Sequence, residues 1–381
     1  MITGIPPASA QSVQEELRML RQRIEELERK VETGEIEREE VKKISSQLKE
    51  KVEEGILGKW SDKIELSGCV EVEASFSDKD RKAGSDSEDS DIVLATVELG
   101  VDLDIHKYVK GHILFLWEED DTEPVDVDEA TITLGGTEDI PFFLTAGKMY
   151  PPIGNFVSFF ITDPLTLELA ETRESAVMVG YANDIFELQM GAFNGDLTDE
   201  EDDRINSFVV SGRITPPSDK LGGLGLTLGG YYTSNLDSDN LEGCFADPLG
   251  NNELDDLVGA AGCFVSASLS ILALEFEYIT ALDEFEAGEM TFDGGQKSEP
   301  SAWNLELAIA PMERLEFAFR YSETDEMRGG LDDDTLPEKM WGLVASYELF
   351  ENVGFGVEFL HSEWENDDEE DLFTTQLAIE F

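Results

Sequence analysis

The chain has 381 residues, with 85 Asp and Glu against 27 Lys and Arg, for a formal net charge of −58. That balance excludes nucleic acid as a partner, and 41% hydrophobic residues, 22 of them Phe, exclude a wholly disordered acidic chain. No run approaches the roughly 18 apolar residues that a spanning helix requires, so any passage through a membrane falls to strands.

Residues 1–10 read as a signal-peptide remnant or a flexible N-terminus. They lack charged and apolar signal regions, but Ala8-Ser9-Ala10 has the small-residue form of a cleavage site. Val13, Leu17, Leu20, Ile24, Leu27 and Val31 then alternate spacings of four and three, the seam of a coiled coil. A second amphipathic piece carries Val41, Ile44, Leu48 and Val52 before Gly55 and Gly58. The expectation for 11–58 is a short α-helical coiled coil, with a monomeric helical hairpin as the alternative. So short a seam is marginal alone, which requires chains already held together by another part of the protein.

From Ile64 the hydrophobic period becomes two. Val93, Ala95, Val97, Leu99, Val101, Leu103 and Ile105 share one face, with Thr96, Glu98, Asp102 and Asp104 on the other. Repeats of this pattern place strands near 64–76, 91–105, 109–118, 127–136, 141–149, 173–183, 185–194, 204–214, 222–234, 257–268, 270–281, 301–310, 313–323, 339–348, 352–364 and 371–381. The periodicity is weak near 127, 204 and 257, so fourteen or eighteen strands stay open beside sixteen. The connections alternate between short turns, such as His106-Lys107 and Phe350-Glu351, and long acidic loops. This predicts an all-β, antiparallel transmembrane barrel over 62–381. Short turns and the coiled coil belong to the periplasm, and the acidic loops to the outside. The last strand ends on Phe381, with Phe373, Leu377 and Ile379 in phase, resembling the C-terminal signal of bacterial outer-membrane barrels.

One connection differs from the rest. Between Lys148 and Arg173 it carries Phe156, Phe159, Phe160, Ile161, Leu165, Leu167 and Leu169, more apolar surface than a solvated loop tolerates. The expectation is a porin in which 150–171 folds inward and narrows the lumen. Lys148, Asp163, Glu168, Glu171 and Arg173 are its candidate constriction residues, the two bases either pairing with Asp163, Glu168 or Glu171 to hold the loop or lying at the surface. If apolar positions face lipid, Glu71, Glu73, Glu98, Asp102, Glu187, Glu275, Glu277, Glu306 and Glu358 face the lumen, and such a pore attracts cations. Arg320 is a basic exception.

Catalysis finds no support: His106, His112 and His361 are scattered, and GxSxG, HExxH and P-loop motifs are absent. The runs Asp86–Asp91, Glu118–Asp121 and Asp332–Asp334 have oxygen ligands for loose Ca²⁺ binding but not EF-hand spacing, and solvated acidic surface is the plainer reading. No other cofactor is expected. Cys244 and Cys263 either bridge a loop to its strand or stay free; Cys69 has no third partner.

The run AGKMYPPIGNFVSFFITDPLTLELAETRESAVMVGY, preceded by LATVELGVD and LFLWEEDDTEPVDVDEA, resembles the LbtU-type siderophore porins of Gram-negative bacteria. Asp163 to Ser175 is its most specific part; the AGK and P-x-G pattern, Ala146-Gly147-Lys148 and Pro152-Ile153-Gly154, is shared with other porins. The resemblance implies an outer-membrane barrel passing small solutes or ferric siderophores passively, independently of TonB. Because porin barrels commonly trimerise, a homotrimer in outer-membrane lipid is the expected assembly, and a periplasmic partner of the coiled coil belongs to the tether alternative. An acidic lumen opposes a polycarboxylate ferric complex, however. A barrel serving only as a structural anchor or tether is the competing expectation.

Overall fold

The computed structural model of the protein describes residues 63–119, 122, 124–199, 205–238, 241, 244, 253–293, 296–329, 331 and 335–381. The expected coiled coil over 11–58 lies outside the described residues. In chain order the strands are β1 (Ile64–Asp80), β2 (Ser87–His106), β3 (Val109–Trp117), β4 (Asp126–Thr137), β5 (Ile140–Met149), β6 (Glu174–Ala182), β7 (Phe186–Phe193), β8 (Thr198–Asp199) and β9 (Ser207–Ile214). They continue as β10 (Gly225–Thr233), β11 (Glu253–Leu254), β12 (Ala260–Leu269), β13 (Leu272–Ala281), β14 (Ser301–Met312), β15 (Leu315–Asp325), β16 (Lys339–Phe350), β17 (Val353–Glu363) and β18 (Glu369–Glu380). One short helix, α1 (Leu165–Ala170), lies between β5 and β6.

All but β8 and β11 form one closed barrel in which every strand pairs with its chain neighbours and β1 closes on β18. Sixteen strands make the wall, which decides among the three counts. Closure is antiparallel, Val72 opposite Leu377 and Phe76 opposite Phe373. Gly68 and Phe381 exchange both backbone hydrogen bonds at its end.

Alternation sorts each strand into an outer and an inner face. On β16, Leu343 is 55% exposed while its neighbour Val344 is 4% exposed. Ile132, Leu144, Val177, Val179, Leu188, Leu272, Leu307 and Phe355 continue an exposed apolar band around the barrel. Apolar surface of this extent needs a hydrocarbon environment to cover it. At the long-loop end Trp303, Tyr321 and Trp341 form an aromatic row on the outer face, joined by His361.

The long loops are not merely solvated acid. Phe193, Leu197, Leu236, Leu241, Leu254, Phe285, Met290 and Phe292 are buried in one apolar cluster, together with inward residues of the wall. The parallel pair β8 and β11 links two of these loops. The cluster reaches Ala176 and Met178 of β6, Val209 of β9, Phe264 of β12 and Ala302 of β14, so one side of the lumen is filled by protein. This explains the weak periodicity near 204 and 257: β9 and β12 carry apolar residues on both faces because neither borders water there. Near 127 a register shift interrupts the β3–β4 ladder, Leu114 pairing Glu129 while Phe115 pairs Val127. The loop expected over 77–90 is shorter than read, because β1 runs to Asp80 and β2 starts at Ser87. No disulfide joins Cys244, which is buried, to Cys263, which is exposed, so the bridge alternative is not realised.

Candidate functional site

The connection from β5 to β6 turns into the barrel, and its local chemistry explains the turn. Gly154 has φ +91, and a Cβ there would collide with the Phe156 ring; Phe156 itself lies in the left-handed region at φ +47. Gly147 fits under the Ala130 carbonyl of β4, where a side chain has no room. Beyond the turn, Pro164 precedes α1, whose Leu165 and Leu169, four residues apart, share its buried face. Leu167 and Glu168 are left half-exposed toward the lumen.

The inner wall holds this loop by three carboxylates. Glu277 on β13 accepts the Asn155 and Phe156 amides, each at 2.8 Å. Glu306 on β14 accepts the Phe159 amide at 2.7 Å and the Ser158 hydroxyl at 3.0 Å. Glu358 on β17 accepts the Ile161 amide at 2.6 Å and the Thr162 hydroxyl at 2.6 Å. Hydrogen bonds to a charged acceptor contribute roughly 1.5–3 kcal/mol each. Arg320 on β15 completes the clamp. It donates to Glu306 at 2.9 Å, to the Asp163 carbonyl at 3.0 Å and to Ser158 at 2.5 Å, with its guanidinium 4.3 Å from the Phe160 ring centroid. Asn304 and Ser322 extend the network behind it.

Glu277, Glu306 and Glu358 therefore do point inward, yet they are buried beneath the loop rather than lining water. Their distribution along the sequence resembles that of solvated lumen acids, and only the docked loop separates the two groups. Arg320 was legible as an exception but not as the clamp.

The open passage lies on the other side of the loop. A cavity of about 880 Å³ is bounded by β1–β4 and β18 on one side and by the loop on the other. Glu71, Glu73, Glu98, Glu118 and Asp128 line its wall; Asp163, Glu168 and Glu171 line it from the loop. No Lys or Arg lines it among the described residues. A second cavity of about 480 Å³, toward the short turns, shares Glu71, Ile161, Gln376 and Glu380 with the first, so the two meet at that level.

Each of the two expected bases pairs with an acid of β4. Lys148 lies in phase with the exposed Leu144 and Phe142, on the outer face of β5, and pairs with Asp126 at 3.5 Å. It is not a constriction residue, because period two turns it away from the lumen. Arg173 donates to Asp128 at 2.5 Å, and Tyr150 donates to the same carboxylate at 3.2 Å. Burial, with the neighbouring Asp128 and Glu171 carboxylates, pushes the Tyr150 phenol above its ordinary value, so it stays a donor.

Of the remaining expected lumen acids, Asp102 meets His112 at 2.8 Å, Glu187 pairs with Arg213 at 2.5 Å, and Glu275 accepts the Ser266 hydroxyl at 2.5 Å. Gln376 donates to Glu73 at 2.9 Å. Among the described residues no group of three His, Cys, Asp or Glu side chains is arranged to hold a metal ion.

No protein-family profile matches the chain. It is similar to a UPF0422 protein of Coxiella burnetii, 23% identical over 315 residues, covering 78% of this chain and 64% of the relative. A UPF0422 protein of Legionella pneumophila strain Paris is 24% identical over 274 residues, covering 65% of this chain and 49% of the relative. The chain thus spans about half to two thirds of the length of these relatives. Among solved structures it superposes on the outer membrane channel DcaP of Acinetobacter baumannii with a TM-score of 0.53 at 14% identity, covering 84% of this chain and 97% of that one. OmpT, an outer membrane protein of Vibrio cholerae, gives 0.52 at 13% identity, again over 84% of this chain and 97% of that one. OmpF of Salmonella typhi, solved with daunomycin, gives 0.55 at 12% identity with the same coverages. The chain has the closed sixteen-stranded fold of the outer-membrane porins.

Proposed function

We propose that this protein is an outer-membrane channel that passes small solutes passively, without TonB, and prefers cations. The observation that carries the reading is a first cavity with carboxylates on both sides and no Lys or Arg in its lining among the described residues, joined to a second in which Arg314 is paired with Glu348 at 3.9 Å and outnumbered by Glu71, Glu313, Glu316, Glu348 and Glu380. The wall guanidinium that touches the loop, Arg320, is fully buried against Glu306 and presents no positive charge to water. Two cavities meeting at Glu71 and Ile161 favour a conducting lumen over a sealed anchor. The orientation in this reading puts long loops outside and short turns in the periplasm.

Ferric siderophores belong to the reading as neutral or cationic complexes, since the acids repel anionic chelates. Reversal potential across a planar bilayer under a KCl gradient, with and without ferric siderophores, tests it. A cation-directed potential, reduced in current by a siderophore, supports the whole proposal. A potential near zero or of opposite sign removes cation preference, and absent conductance leaves the anchor role. We propose a homotrimer as the assembly, for which the mass of the detergent-solubilised complex is the measurement.

A further inference from the structure

We propose that the solutes this channel favours are aliphatic amines, cations that carry a hydrocarbon chain. The inference rests on the cation-preferring reading and names the solute class for the same passage.

Its two walls are chemically unlike. Along the barrel, Glu71 and Glu73 lie on one face of β1, their Cα atoms about 7 Å apart from the rise of a strand. Glu98 from β2 and Glu380 from β18 flank them. Opposite, the loop presents Leu167 and Ile161 to the first cavity, then Ile161 and Phe159 to the second. An apolar strip therefore runs past the level where the cavities join, facing the acid row.

Five loop amides at this depth are committed to the wall rather than offered to an anion. Those of Asn155, Phe156, Phe159, Ile161 and Thr162 are directed into Glu277, Glu306 and Glu358, away from the passage. A hydrated inorganic cation gains nothing from the hydrocarbon strip. An alkylammonium ion sets its nitrogen on the carboxylates and its methylenes against Ile161, Leu167 and Phe159, as long charged side chains do on protein surfaces.

The test is block of the K⁺ current through the full-length protein by ethyl-, butyl- and hexylammonium. A methylene moved entirely out of water is worth about fourfold in affinity, and contact on one wall about twofold. The blocking constant is therefore expected to tighten about twofold per methylene in the wild-type protein, and Ile161→Ser and Leu167→Ser are expected to flatten that series. Blocking constants independent of chain length, or weakening with it, overturn the inference, as does a wild-type slope in both variants. The K⁺ against Cl⁻ reversal potential on the same membranes separates the two levels. A cation-selective channel with a flat series loses only the amine proposal, whereas an unselective channel loses the underlying reading.

Discussion

Arg320 Nε lies 2.9 Å from Glu306 Oε1, and neither side chain has any solvent exposure. A buried pair of this kind is costly to break from one side, because the surviving charge has no water to turn to. Arg320→Met leaves Glu306 to the Asn304 amide and the loop alone. The expected loss is roughly 3–5 kcal/mol, seen as a lower unfolding temperature of the barrel in detergent. The double variant Arg320→Met/Glu306→Leu is expected to recover part of it. A double variant less stable than Arg320→Met would show that Glu306 holds the loop without its arginine.

Release of the far anchor acts on current rather than fold. Glu358→Ala removes the acceptor of the Ile161 and Thr162 amides and of the Thr162 hydroxyl. The wall remains closed by its backbone ladders, while the loop end beside the passage is freed by a few kcal/mol. Single-channel recordings should show added open-channel noise, and hydrogen exchange should quicken at Ile161. An unchanged exchange rate there would mean that Arg320 and Glu306 suffice.

Selectivity should follow place rather than total charge. Glu98→Lys alters a carboxylate on the passage, whereas Glu351→Lys alters one in the exposed turn between β16 and β17. At about 0.1 M salt the screening length is about 10 Å, so only the first reaches the ion path strongly. The KCl reversal potential should fall toward zero for Glu98→Lys and move little for Glu351→Lys. Equal shifts would point to a field set by the whole acidic surface.

Asp368 predicts a pH dependence in the long loops. Its carboxylate is buried and accepts the Lys82 amide at 2.7 Å, the Asn366 side chain at 2.8 Å and the Leu331 amide at 3.4 Å, tying three connections together. Burial opposes its charge, but those donors outweigh burial and hold it below the usual carboxylate range. A depressed folded value stabilises above the unfolded value and loses that contribution as pH falls through the folded one. Protection of the Lys82 amide should therefore persist through mildly acidic pH and fail only below the ordinary Asp range. Asp368→Asn should remove the dependence; a transition at the ordinary Asp value would contradict it.

Local alternation made the wall readable from sequence alone. On β16 and β17 successive residues change environment from lipid to interior, so Leu343, Phe355 and Phe359 declare the outer face without any partner in view. The in-folded loop was equally legible, since Phe159, Phe160 and Ile161 are too apolar for a solvated connection. Period two also contained the correction to Lys148, in phase with Phe142 and Leu144, but its position beside the loop suggested a different role.

What each inward acid does was decided only by the closed barrel. Glu73 and Glu358 look alike on their strands, yet the loop reaches Glu358, nearly two hundred residues away in the chain, and leaves Glu73 beside the passage. Likewise Val209 and Phe264 read as faults in alternation until the long loops bury them. A strand pattern reports which side of the sheet a residue faces. Whether that side meets water, another loop or a buried guanidinium depends on contacts between distant segments, and these exist only once β1 has closed on β18.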